Sequence, residues 1–183
     1  MRIRLATIDD APVLARVHVD SWRSAYRGLV PDSYLDALDY DRRTEDFRKW
    51  LGGGEAETYV VEQNGEIAGL LTLGAARKSD AEAEPIGEIW GIYVRPEHWR
   101  KGLGSALCRH AETRLRDRGC RRVALSVFAQ NQRARRFYEA MGFRTDGASR
   151  TANFGVPLEV VRYRKELQAA EPPPDRDSVP AAR

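Results

Sequence analysis

The stretch "EIWGIYVRPEHWRKGLGSAL", residues 88–107, changes character three times in twenty positions. An apolar run closes at Pro96, a basic and glycine-rich turn follows, and a helical pattern begins. A helix start presents about four N–H groups without an intrahelical partner, and the macrodipole adds partial positive charge there. Gly102 and Gly104 carry no side chains, and Arg100 and Lys101 add positive charge at the same point. Strand, two-glycine turn and helix start together are the physical recipe for holding a phosphate. Taken alone, the two glycines also fit a plain tight turn.

The familiar phosphate loops do not match. GxxxxGK[ST] is absent, and the dinucleotide fingerprint GxGxxG fails because Leu107 stands at its third glycine.

Working outward, residues 3–7 read as a first strand, and residues 7–26 as a helix with Val13, Leu14, Val17 and Trp22 at helical spacing. Residues 30–38 form a second short helix. Residues 41–51 form a third, with Phe47, Trp50 and Leu51 on one side and a stop at Gly52-Gly53-Gly54. Asn64-Gly65 between two strand-like runs predicts a hairpin over 58–76, followed by a polar loop over 78–85. Strands are expected over 87–94, 121–129 and 157–167. Helices are expected over 102–119, with Leu103, Ala106, Leu107, Ala111 and Leu115 inward, and over 131–143, where Asn131 is the N-cap and Ala134, Phe137, Tyr138 and Met141 share a face. The sequence therefore predicts an α/β or α+β layer structure in one domain over residues 1–167. Residues 168–183 hold four prolines and no periodicity, which predicts a disordered tail.

The net charge of +3 is too mild for a nucleic-acid arm or a polybasic membrane patch. It suits a polyanionic small molecule, and no nucleic-acid or membrane partner is expected. Cys108 and Cys120 have no CxxC spacing, and His18, His98 and His110 have no metal-ligand spacing, so neither a disulfide framework nor a metal site is expected. Without a membrane span or a signal-peptide core, a cytoplasmic location is the default.

Two segments carry a resemblance. Val94-Arg95-Pro96 followed by Gly102-Leu103-Gly104 is similar to the acetyl-CoA-binding motif of the GCN5-related N-acetyltransferases, V-x-P then [QR]-x-x-G-x-[GA], with Trp99 at the family's Gln/Arg position. "NQRARRFYEAMGF" is similar to the family's N-x-x-A-x-x-F-Y-x-x-x-G-F, with Asn131, Ala134, Phe137, Tyr138, Gly142 and Phe143 matching. The resemblance implies a mixed, mostly antiparallel sheet, splayed in the middle and flanked by helices. It implies acetyl-CoA as cofactor, with a diphosphate held at Arg100, Lys101, Gly102, Leu103, Gly104 and Ser105. On the same reading Ile92, Tyr93 and Val94 offer main-chain groups to the pantetheine arm, and Asn131 also lies at the cofactor.

Acyl transfer from a thioester to an amine needs a held donor, a deprotonated amine, a stabilised oxyanion and a protonated leaving thiolate. Gly91 within its strand suggests a bulge that aims an N–H at the thioester oxygen. Tyr138 occupies the family's tyrosine position and is the candidate general acid; a core aromatic is the alternative. Glu88 is the candidate base, sharing one face with Trp90, Ile92 and Val94 by strand alternation; a strand-end salt-bridge partner is the alternative. For the acceptor amine, Trp22, Tyr26, Tyr34 and Phe154 are candidate walls or ordinary core filling, and Asp20, Asp32 and Asp36 are candidate cation contacts or helix caps. The basic balance and the lack of a dense acidic run argue against an aminoglycoside or polyamine. A small amine, an amino-acid-like molecule, a protein N-terminus or a lysine stays open, as does a homodimer. A non-catalytic acyl-CoA-binding module on the same fold would need neither Tyr138 nor Glu88.

Overall fold

Asn64 and Gly65 both take positive φ, 53° and 84°, the left-handed pair that lets a two-residue turn follow the twist of its strands. This hairpin is the centre from which the rest is laid down. The computed structural model describes residues 1–76 and 85–167. In chain order these form β1 (Arg2–Leu5), α1 (Ala11–Ala25), α2 (Asp32–Asp36), α3 (Tyr40–Gly53), β2 (Ala56–Gln63), β3 (Glu66–Ala75) and β4 (Ile86–Val94). They continue through α4 (Leu103–Asp117), β5 (Arg122–Phe128), α5 (Gln132–Ala140), β6 (Arg144–Asn153) and β7 (Pro157–Glu166). The expected tail and most of the expected polar loop lie outside the described residues.

The strands make one sheet in the order β1-β2-β3-β4-β5-β7-β6. Only β4 and β5 run parallel, so the sheet is mixed and mostly antiparallel, as expected. Both faces are covered. Tyr59 and Val61 of β2 and Leu71 and Leu73 of β3 pack with Leu103, Leu107 and Leu115 of α4. The alternate residues Val60 and Leu70 pack with Leu14 and Val17 of α1 and Phe47 of α3. Period-2 alternation therefore feeds two cores, which is why these strands read as nearly continuous apolar runs.

Three expectations change. Residues 144–153 form β6, which the sequence did not announce. It is an edge strand with mostly exposed residues and a register break between Thr145 and Ser149, so burial imposes no apolar alternation on it. Trp50 does not join Phe47 in the core: it is 51% exposed and meets the Phe47 ring edge-on. The third helix runs through Gly52 and Gly53 and stops at Gly54, whose φ of 71° supplies the left-handed cap.

One ion pair ties the last strand to α4. Lys165 Nζ donates to Glu112 Oε1 at 2.7 Å and to the Met141 carbonyl at 2.8 Å, and Glu112 is 8% exposed. Lys165→Met leaves that carboxylate buried without its cation. It should destabilise the fold by about 3 kcal/mol, read as a lower urea midpoint at unchanged slope. Adding Glu112→Leu should recover most of the loss.

Candidate active site

The turn after β4 is built to leave backbone amides bare. Arg100 and Gly102 adopt positive φ, 61° and 82°, and Gly102 is the N-cap of α4 with no side chain capping the helix. The first intrahelical bond runs from the Ala106 N–H to the Gly102 carbonyl. The Leu103, Gly104 and Ser105 amides therefore find no acceptor among the described residues. Leu103 turns its side chain into the core, so its amide is what it offers. A Cβ at Gly104 would lie 3.5 Å from the Phe137 ring, ordinary van der Waals contact, so neither α5 nor the backbone conformation requires a glycine there. Trp99 donates its Nε1 hydrogen to the Val94 carbonyl at 2.6 Å. The Arg133 guanidinium lies 3.7 Å above the Trp99 ring centroid.

Upstream of the turn the sheet parts. The β4–β5 ladder runs from Ile86↔Arg122 to Ile89↔Leu125 and stops, while β4 continues to Val94 and β5 to Phe128. A cavity of about 500 Å³ fills the gap. The expected bulge is present: Thr72 faces Gly91 and Leu73 faces Ile89, leaving Trp90 as the extra residue. It also corrects one expectation. Glu88 and Trp90 lie on the side of Gly74, whereas Ile92 and Val94 pack with the α4 core and Tyr93 with the α1 core. The extra residue shifts the alternation by one, so Glu88 and Trp90 do not share a face with Ile92 and Val94. The Val94 carbonyl also accepts from Ser21 Oγ at 3.0 Å. Together with Trp99 this occupies both of its lone pairs.

Tyr138, from α5, lines the same cavity, and its hydroxyl has no hydrogen-bond partner among the described residues. Burial above all, then the neighbouring Cys108 and Tyr93, pushes its phenol well above the usual value near 10. Burial pushes the Tyr26 phenol up as well. Asn131 is buried and spends its Oδ1 on the Ala134 amide as the α5 cap. Glu88 lines the cavity from the part of β4 that is still paired. Cys108 is buried, and burial followed by Glu112 pushes its thiol up to about 12, so it stays protonated.

A second, smaller cavity of about 230 Å³ lies on the α1 and α3 side of β4 and shares Trp22, Trp90, Gly91, Tyr93 and Phe154 with the first. The predicted acceptor residues divide between them: Trp22 and Phe154 line both, Tyr26 the first and Tyr34 the second. They also form an aromatic cluster, with Trp22 and Tyr26 centroids at 4.6 Å and Phe128 and Phe154 at 5.1 Å. Asp20, Asp32 and Asp36 line neither cavity; Asp20 accepts from Tyr40 and Asp32 pairs with Arg27. Sequence reading missed Trp99, Ser126 and Arg133 in the first cavity and Arg43 in the second. For Arg133, its place two residues after the Asn131 cap was the available signal. His18 lines the second cavity, and burial followed by the charge of Arg43 pushes its pKa down to about 3, so its imidazole is neutral.

Comparison with known proteins agrees with this geometry. Residues 19–143 match the acetyltransferase (GNAT) family model. The chain is similar to the uncharacterized N-acetyltransferase YuaI of Bacillus subtilis, 32% identical over 70% of this chain and 72% of that one. It is also similar to aminoglycoside N(6')-acetyltransferase type 1 of Stenotrophomonas maltophilia, 28% identical over 86% of this chain and 94% of that one. Among solved structures, PaiA N-acetyltransferase from Thermoplasma acidophilum in complex with coenzyme A shares the fold, with a TM-score of 0.69 at 19% identity over 91% of this chain and 99% of that one. A chain whose sheet parts beside an uncapped, glycine-led helix start, and which matches that model over residues 19–143, belongs to the acetyltransferase (GNAT) family, the enzymes that move an acetyl group from acetyl-CoA to an amine.

Proposed function

We propose that this chain acetylates a primary amine by direct attack, with acetyl-CoA bound across the parting of β4 and β5. The observation that carries the reading is the unpaired β4 edge and the Tyr138 hydroxyl along one cavity, which Trp99 of the turn also lines, with the bare amides of the α4 start following just after it in the chain, outside the lining. The residues fit the cofactor. The amides of Leu103, Gly104 and Ser105, with Arg100 and Lys101 beside them, suit a diphosphate. The β4 edge beyond Ile89 suits an extended pantetheine arm. Ile92 contributes main-chain groups to it, whereas Val94 contributes only its N–H, because its carbonyl is engaged by Trp99 and Ser21.

Acetyl-CoA supplies the acetyl group as a thioester: a C–N bond forms to the amine, the C–S bond breaks, and CoA departs as a thiol. Glu88 takes the proton that the amine must lose, directly or through water. Tyr138 gives its phenolic proton to the sulfur. An elevated phenol pKa keeps that proton in place across the working range. Backbone N–H groups at the Trp90 bulge offer the donor needed where negative charge develops on oxygen. The protonated, buried Cys108 argues against an acyl-cysteine relay and for direct attack. Among the described residues no helix is long and apolar enough to cross a membrane.

Gly102→Val forces a β-branched residue to a φ of 82°. It should weaken CoA binding by about tenfold or more in calorimetry, a loss of about 1.4 kcal/mol. Unchanged affinity would remove the turn from the binding site. Tyr138→Phe should keep CoA affinity and lower kcat by about a hundredfold, the lower end of general-acid effects. Equal kcat in both proteins would return Tyr138 to the core. For the parent, kcat should rise with pH as the bound amine loses its proton. It should show no fall below about pH 10, because the phenol's pKa is raised rather than lowered. A falling limb between about pH 8 and 10 would count against Tyr138 as the acid.

A further inference from the structure

The smaller cavity has a chemical bias that the acetyltransferase reading does not require. It is lined by His18, Trp22, Tyr34, Arg43, Trp90 and Phe154 among others, and no Asp or Glu is among its lining residues within the described chain. Three of these residues hold buried polar atoms with no hydrogen-bond partner: Nδ1 of His18, Nε1 of Trp22 and Nε of Arg43. His18 is 7% exposed. Such atoms are satisfied in most native proteins, and these three belong to side chains that border one cavity whose described lining holds no carboxylate. Two of the three, the indole and the guanidinium, can only donate. A ligand group that meets the indole or the guanidinium at this cavity accepts hydrogen bonds, and one that meets the guanidinium is favoured by negative charge.

The cavity also adjoins the place where the acyl group must arrive. It shares Trp90 and Gly91, at the β4 bulge, with the larger cavity. Arg43 pairs with Asp46 through Nη1 at 3.3 Å, leaving Nε unpaired. Its charge reaches His18 strongly enough to help hold the imidazole neutral. About 230 Å³ is below the range of drug-sized ligand sites, so the acceptor is small, and the walls facing it are mostly aromatic.

We propose that the acceptor is a small amine that also bears a carboxylate, with an apolar or aromatic side chain: the amine lies at the Trp90–Gly91 bulge, the carboxylate at Arg43 and the side chain among Trp22, Tyr34 and Phe154. Arg43 is a specificity-determining residue on this assignment. A polycationic acceptor such as an aminoglycoside finds the Arg43 guanidinium, paired on its Nη1 side with Asp46, and no carboxylate among the described lining residues. The inference rests on the acetyltransferase reading, which fixes the bulge as the point of transfer.

The test uses matched pairs that differ only in the carboxylate, L-phenylalanine against 2-phenylethylamine and L-methionine against 3-(methylthio)propylamine, with kanamycin as the polycation. Binding to the CoA-loaded full chain is read from quenching of tryptophan fluorescence, since Trp22 and Trp90 line the cavity, and turnover from thiol release. The acids should bind at least tenfold more tightly than their decarboxylated partners, and kanamycin should not compete. Arg43→Gln should erase the preference through KM with little change in kcat, Arg43→Lys should restore part of it, and the simple amines should be unaffected by either change. Equal binding of acid and amine, tighter binding of kanamycin, failure of both acids to bind, or a preference that survives Arg43→Gln each overturns the inference. CoA affinity, measured by calorimetry on the same preparations, separates the two readings. If CoA binds and the preference is absent, only the acceptor class is wrong; if CoA does not bind, the acetyltransferase reading fails first.

Discussion

The site depends on β4 and β5 being parallel neighbours that pair for four residues and then part. Parallel strands need a crossover, and here α4 provides it, so the start of α4 necessarily lies at the carboxyl end of β4. The chain leaves β5 at the same end, and α5 starts there under its Asn131 cap. Two helix N-termini, an unpaired strand edge and the gap between the strands therefore converge without any residue being recruited from elsewhere. Had the ladder continued to Val94, β5 would have filled the groove and the α4 amides would face a closed sheet. The Trp90 bulge acts at the point of parting: one extra residue turns Ile92 and Val94 toward α4 and sends Tyr93 toward His18.

The aromatic cluster makes core and pocket wall the same object. Trp22, Tyr26, Phe128 and Phe154 pack with Val30, Leu35 and Leu158, with Tyr26 and Phe154 each edge-to-face on Phe128, and at the same time border the cavities. Aromatic rings suit both tasks, since they bury large apolar area, have few rotatable bonds and keep a polar edge available. In the folded chain these rings therefore both fill the core and border the cavities. The carboxylates of the same region are held elsewhere: Asp20 is bound by Tyr40 and Asp32 by Arg27.

How much of this was legible follows from where the information resides. The hairpin was legible because positive φ at two successive residues restricts them to types such as Asn-Gly. The glycine turn was legible because Gly102 must take a φ of 82° between an apolar strand and a helical repeat. The edge strand β6 was hidden because an exposed strand with Gly147 and Asp146 in it obeys no burial pattern. The shared face assigned to Glu88, Trp90, Ile92 and Val94 failed for a related reason. Gly91 suggested a bulge, but a phase shift of one residue is fixed by pairing across the sheet, and periodicity along one strand does not contain it. Arg43 was hidden further still, because α3 reads as a charged amphipathic helix and only its packing against α1 brings that guanidinium to His18.

The single departure from the family motif shows how the two ends of the site differ in what they ask of the sequence. Trp99 stands where a Gln or Arg is expected, a change of size, charge and shape. The turn nevertheless keeps its form, because its geometry is set by Arg100 and Gly102 at positive φ and its first-turn amides need no side chain to hold them open. Trp99 meanwhile donates to Val94 and carries Arg133 on its face, which returns a cation to the neighbourhood of the turn from a different helix. A backbone site tolerates such exchange, since any side chain compatible with the turn preserves the amides. A cavity whose selectivity comes from side chains does not, because replacing one guanidinium or indole changes which groups it can satisfy. The turn is thus a constraint on backbone conformation, whereas a side-chain-lined cavity is a constraint on a handful of side chains.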